Sequence, residues 1–108
     1  PDELARVVAL LLDNATRHAN ERVAVSLTST AAAVTLLVDD DGPGVPEAQR
    51  AAIFERFTRL DEARSRDAGG AGLGLAVVAG VVHRCGGSVS VESSDLGGAR
   101  FVVSLPAP

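Results

Sequence analysis

Apolar residues recur at helical spacing near the start of the chain, where Leu4, Val7, Val8, Leu11, Leu12 and Ala15 share one stripe behind Pro1-Asp2-Glu3. Asp2 suits a helix cap and Glu3 the positive end of the helix dipole, so the pattern predicts an amphipathic helix ending near Ala19-Asn20. The period then changes to two. Val23, Val25 and Leu27, followed across a Ser-Thr-Ala turn by Val34, Leu36 and Val38, predict an antiparallel hairpin. Pro46-Glu47 opens a short helix reaching about Phe54, proline being tolerated in a first helical turn. From Thr58 to Ala71 the periodicity fails, and charges, Ser65, Asp67 and glycines predict a mobile loop.

Leu73 to Cys85 is helical again and stops at Gly86-Gly87 in the manner of a glycine C-cap. Val89 and Val91, then Phe101, Val103 and Leu105, predict a second hairpin around Asp95-Leu96-Gly97-Gly98, ended by Pro106. The sum is an α+β fold: a two-layer α/β sandwich with two or three helices on one face of a mostly antiparallel sheet. At 108 residues and 46% hydrophobic content, the chain has room for one core, and 1–108 is read as a single domain. No repeat, low-complexity tract or linker interrupts it, so both ends look like trimmed domain edges.

Composition removes several classes of function. A net charge of -4 argues against a nucleic-acid partner, whose backbone demands a basic face. All ten cationic residues are arginine. A Walker P-loop, which needs Gly-Lys-Ser/Thr, is therefore excluded, and any cationic phosphate contact must come from arginine. Cys85 is the only cysteine, which rules out an internal disulfide and a cysteine-built zinc site and suits a reducing compartment. The longest apolar stretch, Ala31 to Val38, is far short of the roughly 18 residues of a membrane helix. No basic-then-apolar signal opens the chain, so the expectation is a soluble piece that makes no membrane contact itself.

Two glycine clusters carry the candidate chemistry. Asp40-Asp41-Gly42-Pro43-Gly44 closes an apolar strand, and Gly70-Ala71-Gly72-Leu73-Gly74-Leu75 opens an apolar helix. Taken alone the first is an ordinary surface turn, since glycine is first of all a turn residue. Taken together they divide the work of holding a nucleotide. A carboxylate at the end of a buried strand needs a donor, and the adenine amino group is one. The backbone N–H groups of Gly72 to Leu75, at a helix start, can cradle phosphates. The spacing argues against a dinucleotide fingerprint: counting from Gly72, its third glycine falls on Val77, and a polar loop precedes where a strand is required. Asn14 shares the helical stripe of Val7 and Leu11, and its neutral amide oxygen suits magnesium. A buried amide satisfied by the sheet is the alternative.

In fixed order, five segments resemble the boxes of one domain family. Leu11-Leu12-Asp13-Asn14-Ala15 is similar to the N box, Asp40 to Gly44 to the first glycine box, and Phe54-Glu55-Arg56-Phe57 to the F box. Gly70 to Leu75 resembles the second glycine box, and Gly97-Gly98-Ala99-Arg100-Phe101 the closing glycine hairpin. The family is the ATP-binding catalytic domain of bacterial sensor histidine kinases, within the gyrase, Hsp90, histidine kinase and MutL superfamily, whose fold is of the Bergerat type. The resemblance covers essentially the whole chain.

It implies that Asn14 ligates magnesium and that Asp40, not Asp41, reads adenine, with Gly42 and Gly44 bringing backbone to the base. It implies that Gly70, Gly72, Leu73, Gly74 and Leu75 hold the phosphates. Arg17, one turn after Asn14, occupies the place of a basic residue near the phosphates, a solvated surface arginine being the other reading. His18 stands where the family carries tyrosine or histidine near the nucleotide. Arg64 and Arg66 fall in the segment matching the ATP lid, though charged loop residues are also simply solvated. Phe54 and Phe57 would pack, anchor the lid and border the surface that meets the helical phosphoacceptor domain.

Leu10 departs from the pattern. Many relatives have a second asparagine there and the ATPase branches a water-activating glutamate; leucine can do neither, which argues against a self-contained ATP hydrolase. Phosphoryl transfer needs an acceptor in line with the γ-phosphate. The family's acceptor histidine precedes an acidic residue on a separate helical hairpin, whereas His18 precedes Ala19 and His83 precedes Arg84, so no catalytic acceptor lies in the chain. His83 belongs in the last turn of its helix, where positive charge is favoured. The upstream strand usual in such domains is also missing, which exposes a sheet edge to strand exchange and a domain-swapped dimer.

The resemblance therefore implies ATP and magnesium as ligands and a protein histidine kinase as the enzyme. This domain would present the γ-phosphate to a histidine on the dimerisation/phosphoacceptor domain of the same kinase, with a response regulator downstream. It would be the cytoplasmic portion of a membrane-bound sensor. An anti-sigma-type serine kinase and a non-catalytic nucleotide-binding module of the same superfamily are the alternatives.

Overall fold

The computed structural model of the chain describes residues 2–54 and 71–107. The first apolar stripe forms helix α1 (Asp2–His18), which turns Val7, Leu11 and Ala15 into the core. Strands β1 (Val23–Ser29) and β2 (Ala33–Asp40) form the first hairpin, with Val25 opposite Val38 and Leu27 opposite Leu36. Thr30 shapes its turn, since Oγ1 accepts hydrogen bonds from the amides of Ala32 and Ala33 at 3.2 and 3.1 Å. Helix α2 (Ala71–Arg84) begins slightly before the apolar pattern that predicts it. It ends in a Schellman motif: the Gly87 amide donates to the Val82 carbonyl, the Gly86 amide to that of His83, and Gly86 takes φ +80°.

Strands β3 (Ser88–Ser93) and β4 (Ala99–Pro106) complete a four-stranded antiparallel sheet in the order β1-β2-β4-β3. Placing β4 between β2 and β3 sets the end of the first hairpin beside the turn of the second, because Asp39 pairs with Arg100. Leu36, Val38, Val91, Phe101 and Val103 line one face of the sheet and meet Leu75, Val78, Val81 and Val82 of α2. The Phe101 ring, 1% exposed, receives Phe54 edge-on at 6.0 Å and 87°. Each such burial is worth about 1.5–3 kcal/mol, and this apolar layer holds the two helices to the sheet.

One expectation from the sequence changes. The helix from Pro46 to Phe54 is instead two 3₁₀ turns, Glu47–Gln49 and Ala52–Phe54. Nine residues without a side-chain cap do not offset the cost of a helical nucleus, so only i to i+3 bonds form, as from the Gln49 amide to the Pro46 carbonyl at 2.9 Å. The alternation of Val23, Val25 and Leu27 does not mark a buried face. Those residues point to the helix side, as their partners Val38 and Leu36 do, yet Val25 is 47% and Leu27 60% exposed. The helical layer covers β2 and β4 and leaves the edge strand β1 outside its footprint. The predicted loop from Thr58 to Ala71, with Arg64 and Arg66, lies almost wholly outside the described residues, as do Glu55, Arg56, Phe57 and Gly70. Among the described residues no helix is long and apolar enough to cross a membrane.

Candidate functional site

Alternation along β2 sends its last two residues to opposite faces: Asp40 follows Val38 to the helix side, and Asp39 follows Leu37 to the other. Asp40 is 2% exposed. Its Oδ1 accepts hydrogen bonds from the amides of Gly42 at 2.9 Å and Ala99 at 3.2 Å, and its carbonyl accepts from the Gly98 amide at 3.1 Å. Oδ2 accepts no hydrogen bond among the described residues. The carboxylate is thus fixed through one oxygen and keeps the other for a donor arriving from outside.

Glycine is required where these backbones meet. A Cβ on Gly42 would collide with the His18 carbonyl at the end of α1, and one on Gly98 would collide with the Asp40 carboxylate and lie 2.6 Å from the Gly42 nitrogen. The end of α1, the end of β2 and the β3–β4 turn therefore converge around the Asp40 carboxylate with no room for a side chain at Gly42 or Gly98. They enclose a cavity of about 20 Å³ lined by Asn14, His18, Asp40, Gly44, Ala99 and Phe101, among others. That is space for one water, enough for the polar edge of a ligand but not for a whole nucleotide.

Asn14, on α1 one turn before His18, is 5% exposed, and its Oδ1 is buried with no hydrogen-bond partner among the described residues. The sheet does not satisfy this oxygen. A lone buried acceptor is costly and fits a cation or donor supplied by a ligand. Among the described residues no group of three His, Cys, Asp or Glu could hold a metal by itself. Magnesium here would take the Asn14 oxygen together with phosphates and water, a coordination that suits it. His18 is half-buried on the same wall. Arg17 is exposed, its Nε 3.1 Å from Asp13 Oδ2, and does not line this cavity.

In α2, Gly72, Leu73 and Gly74 fall in the first helical turn, where backbone N–H groups lack intrahelical acceptors. Leu75 is one residue further on, inside the hydrogen-bonded ladder, and its side chain is 1% exposed in the core. Gly74 packs beside Leu10, whose Cδ2 would stand 3.7 Å from a Cβ built there, an ordinary van der Waals contact. An apolar wall occupies that side of α1.

Asp41 does separate work. Its carboxylate accepts the amides of Asn20 at 2.7 Å and Glu21 at 3.0 Å, and the Asn20 side-chain amide donates back to the Asp41 carbonyl at 3.0 Å. These bonds, that from Glu21 foremost, hold its pKa below the ordinary value of 3.8. Asp41 thereby ties the corner between α1 and β1 to the loop carrying Gly42 and Gly44. Arg50 braces the far side of that loop, donating from Nε to the Val45 carbonyl and from Nη2 to Ser93 Oγ, both at 3.1 Å.

The roles of three contributors escape sequence reasoning. Gly98 and Ala99, legible only as part of the closing glycine hairpin, act through main-chain amides that hold Asp40. Ser94 donates through Oγ to Asp39 Oδ1 at 2.7 Å from across the sheet, and nothing in the order of residues signals that contact.

A strand-end carboxylate and an unsatisfied amide oxygen thus face one small cavity in a two-layer α+β sandwich. Residues 1–108 match the family described as histidine kinase-, DNA gyrase B-, and HSP90-like ATPase, and the chain belongs to it. It is 47% identical over 103 residues to sensor protein RstB of Escherichia coli K12, covering 95% of this chain and 24% of RstB. It is 43% identical over 109 residues to the sensor-type histidine kinase PrrB of Mycobacterium tuberculosis, covering all of this chain and 24% of PrrB. The crystal structure of the ATP-binding domain of that PrrB superposes with a TM-score of 0.79 at 39% identity, over 100% of this chain and 69% of that one. Full-length ShkA in complex with AMPPNP superposes with a TM-score of 0.80 at 32% identity, over 96% of this chain and 21% of that one. The chain thus spans about a quarter of the length of its curated relatives and corresponds to the ATP-binding catalytic domain of sensor histidine kinases.

Proposed function

We propose that the chain binds ATP with magnesium and presents the γ-phosphate to a histidine on a helical dimerisation/phosphoacceptor domain of the same sensor kinase. The observation that carries this reading is the held carboxylate of Asp40, buried, engaged through Oδ1 by two backbone amides, with Oδ2 open to the exocyclic amino group of adenine. Asn14 Oδ1 would meet the metal, Gly42 and Gly44 would lie against the base, and the first turn of α2 would face the phosphates with Gly70. His18 would border the nucleotide and Arg17 could swing from Asp13 toward phosphate. Magnesium supplies charge neutralisation of the phosphates when bound. Leu10 offers no base to activate water, so transfer to a protein acceptor is favoured over hydrolysis.

The proposal extends to the whole protein. The acceptor domain, a response regulator that receives the phosphoryl group, and placement on the cytoplasmic side of a membrane-bound sensor all lie beyond these residues. Strand exchange between two copies through β1 belongs to it as well, supported by the exposed edge at Val25 and Leu27.

Calorimetric titration with a non-hydrolysable ATP analogue, with and without magnesium, tests the core of it. Binding that magnesium strengthens is expected, and no heat at millimolar nucleotide would sink the reading. Asp40→Asn should erase the preference for ATP over GTP while leaving the thermal midpoint close to that of the parent chain. Incubation with γ-labelled ATP and the acceptor domain of the full protein should then place acid-labile phosphate on histidine. Acid-stable label on serine would transfer the assignment to the serine-kinase branch.

A further inference from the structure

On the sheet face opposite the cavity, Asp39 is 6% exposed, and its Oδ1 accepts two short hydrogen bonds, from Ser94 Oγ and from Arg100 Nε, each at 2.7 Å. Arg100 is further surrounded by Asp95 at 3.6 Å and Glu92 at 3.8 Å. Ser94 is the first residue of the turn between β3 and β4 and organises it: Oγ accepts from the Leu96 amide at 3.0 Å, its carbonyl accepts from Gly97 at 3.0 Å, and its amide donates to Gly98 at 2.8 Å. The turn is therefore tied to Asp39 directly through the Ser94 hydroxyl and indirectly through Arg100, which also reaches Asp95. The same turn delivers the Gly98 and Ala99 amides to Asp40 on the other face.

We propose that Asp39, Ser94 and Arg100 form a clasp whose role is to set the orientation of Asp40 and with it the discrimination between adenine and guanine. This inference rests on the nucleotide reading of the cavity. A carboxylate held in one orientation accepts a hydrogen bond from the amino group of adenine and repels the carbonyl oxygen that guanine presents at the equivalent position. A carboxylate free to turn can withdraw from that oxygen, so the penalty against guanine falls. Asp39 and Asp40 are neighbours on one strand end, and the turn between β3 and β4 links them through the sheet. Ser94 is a positioning residue that touches no ligand; because the bond it donates ends on a buried carboxylate, it is of the stronger, charge-assisted kind.

The test is the ratio of affinities for ATP and GTP, measured by calorimetry on the chain and on Ser94→Ala, Ser94→Thr and Arg100→Gln, alongside thermal unfolding of each. Ser94→Ala should lower the ATP:GTP ratio about tenfold, the scale of one well-made buried hydrogen bond. Ser94→Thr, which keeps the hydroxyl, should restore it, and Arg100→Gln should shift it less in the same direction. A parallel fall in both affinities with the ratio unchanged would mean a purely structural role and overturn the inference. Should Ser94→Ala not fold, an unchanged ratio in folded Arg100→Gln overturns it equally. If the parent chain binds neither nucleotide, the functional reading falls first and the clasp with it; if the parent discriminates and the variants match it, only the clasp falls.

Discussion

Gly98 stands against Asp40 so closely that its amide donates to the Asp40 carbonyl at 3.1 Å while the place of its missing Cβ is filled by the Asp40 carboxylate. The contact joins the tip of the second hairpin to the end of β2. Gly98→Ala must push the two apart, because beyond the carboxylate it also meets the Asp40 carbonyl and the Gly42 nitrogen, both backbone and each 2.6 Å away. We expect about 1–3 kcal/mol of lost stability, the scale of a forced insertion into packed structure. ATP affinity should fall about tenfold or more, each factor of ten being about 1.4 kcal/mol. Thermal melts and calorimetry on the same sample separate the two effects, and a variant that binds ATP like the parent contradicts the role given to this turn.

Asn14 carries a buried oxygen with no partner among the described residues, and its removal should cost little when nothing is bound. Asn14→Ala is expected to unfold within about 1 kcal/mol of the parent, since no hydrogen bond to Oδ1 is lost. The effect should appear with the ligand: the gain in ATP affinity on adding magnesium should shrink about tenfold, as when a metal site loses a supporting group. Titrations with and without magnesium decide it. An undiminished magnesium effect would remove Asn14 from the metal site.

Asp41 makes stability depend on pH in a defined direction. Its folded-state pKa is held below 3.8, chiefly by the Glu21 amide, so the charged form favours the folded chain. That contribution is complete above 3.8 and disappears as pH falls through the lower folded-state value, where both states are protonated. Asp41→Asn should therefore be less stable than the parent at neutral pH and should lose less stability between pH 5 and pH 2. Urea unfolding across that range is the measurement, and parallel pH curves for the two proteins would refute the linkage.

Phe101 tests the core beneath the cavity. Phe101→Ala should cost about 3–5 kcal/mol, the usual range for a buried aromatic, and Phe54→Ala less, because Phe54 is only half-buried. Denaturant midpoints for the pair, with the double variant, also measure their edge-to-face contact, which should couple them by about 0.5–1.5 kcal/mol.

Leu27 lies on an uncovered edge strand, so charge there should be tolerated. Leu27→Lys is expected to change stability by no more than about 0.5 kcal/mol and to suppress association between copies at high concentration. Sedimentation velocity over a concentration series reads the second effect. A large loss of stability would show that Leu27 is covered in solution.

The sequence by itself determined the elements and their order, because helical and alternating periods are local properties of neighbouring side chains. The stripe from Leu4 to Ala15, both hairpins and the stop at Gly86-Gly87 were legible in this way, and the first glycine cluster marked one wall of the cavity. The short helix after Pro46 was not, since a 3₁₀ turn and the start of an α-helix carry the same composition. Alternation at Val23, Val25 and Leu27 announced a strand but could not say that the helical layer stops short of it. The division of labour between Asp40 and Asp41 follows from the strand end: Asp40 is the last strand residue and turns inward, while Asp41, the first beyond it, accepts the Asn20 and Glu21 amides. Only the tertiary structure decided how Asp40 is held. Placing β4 between β2 and β3 brings Ser94, Gly98 and Ala99 to a strand more than fifty residues away in the chain, and hydrogen bonds between main-chain groups leave no mark on the order of side chains.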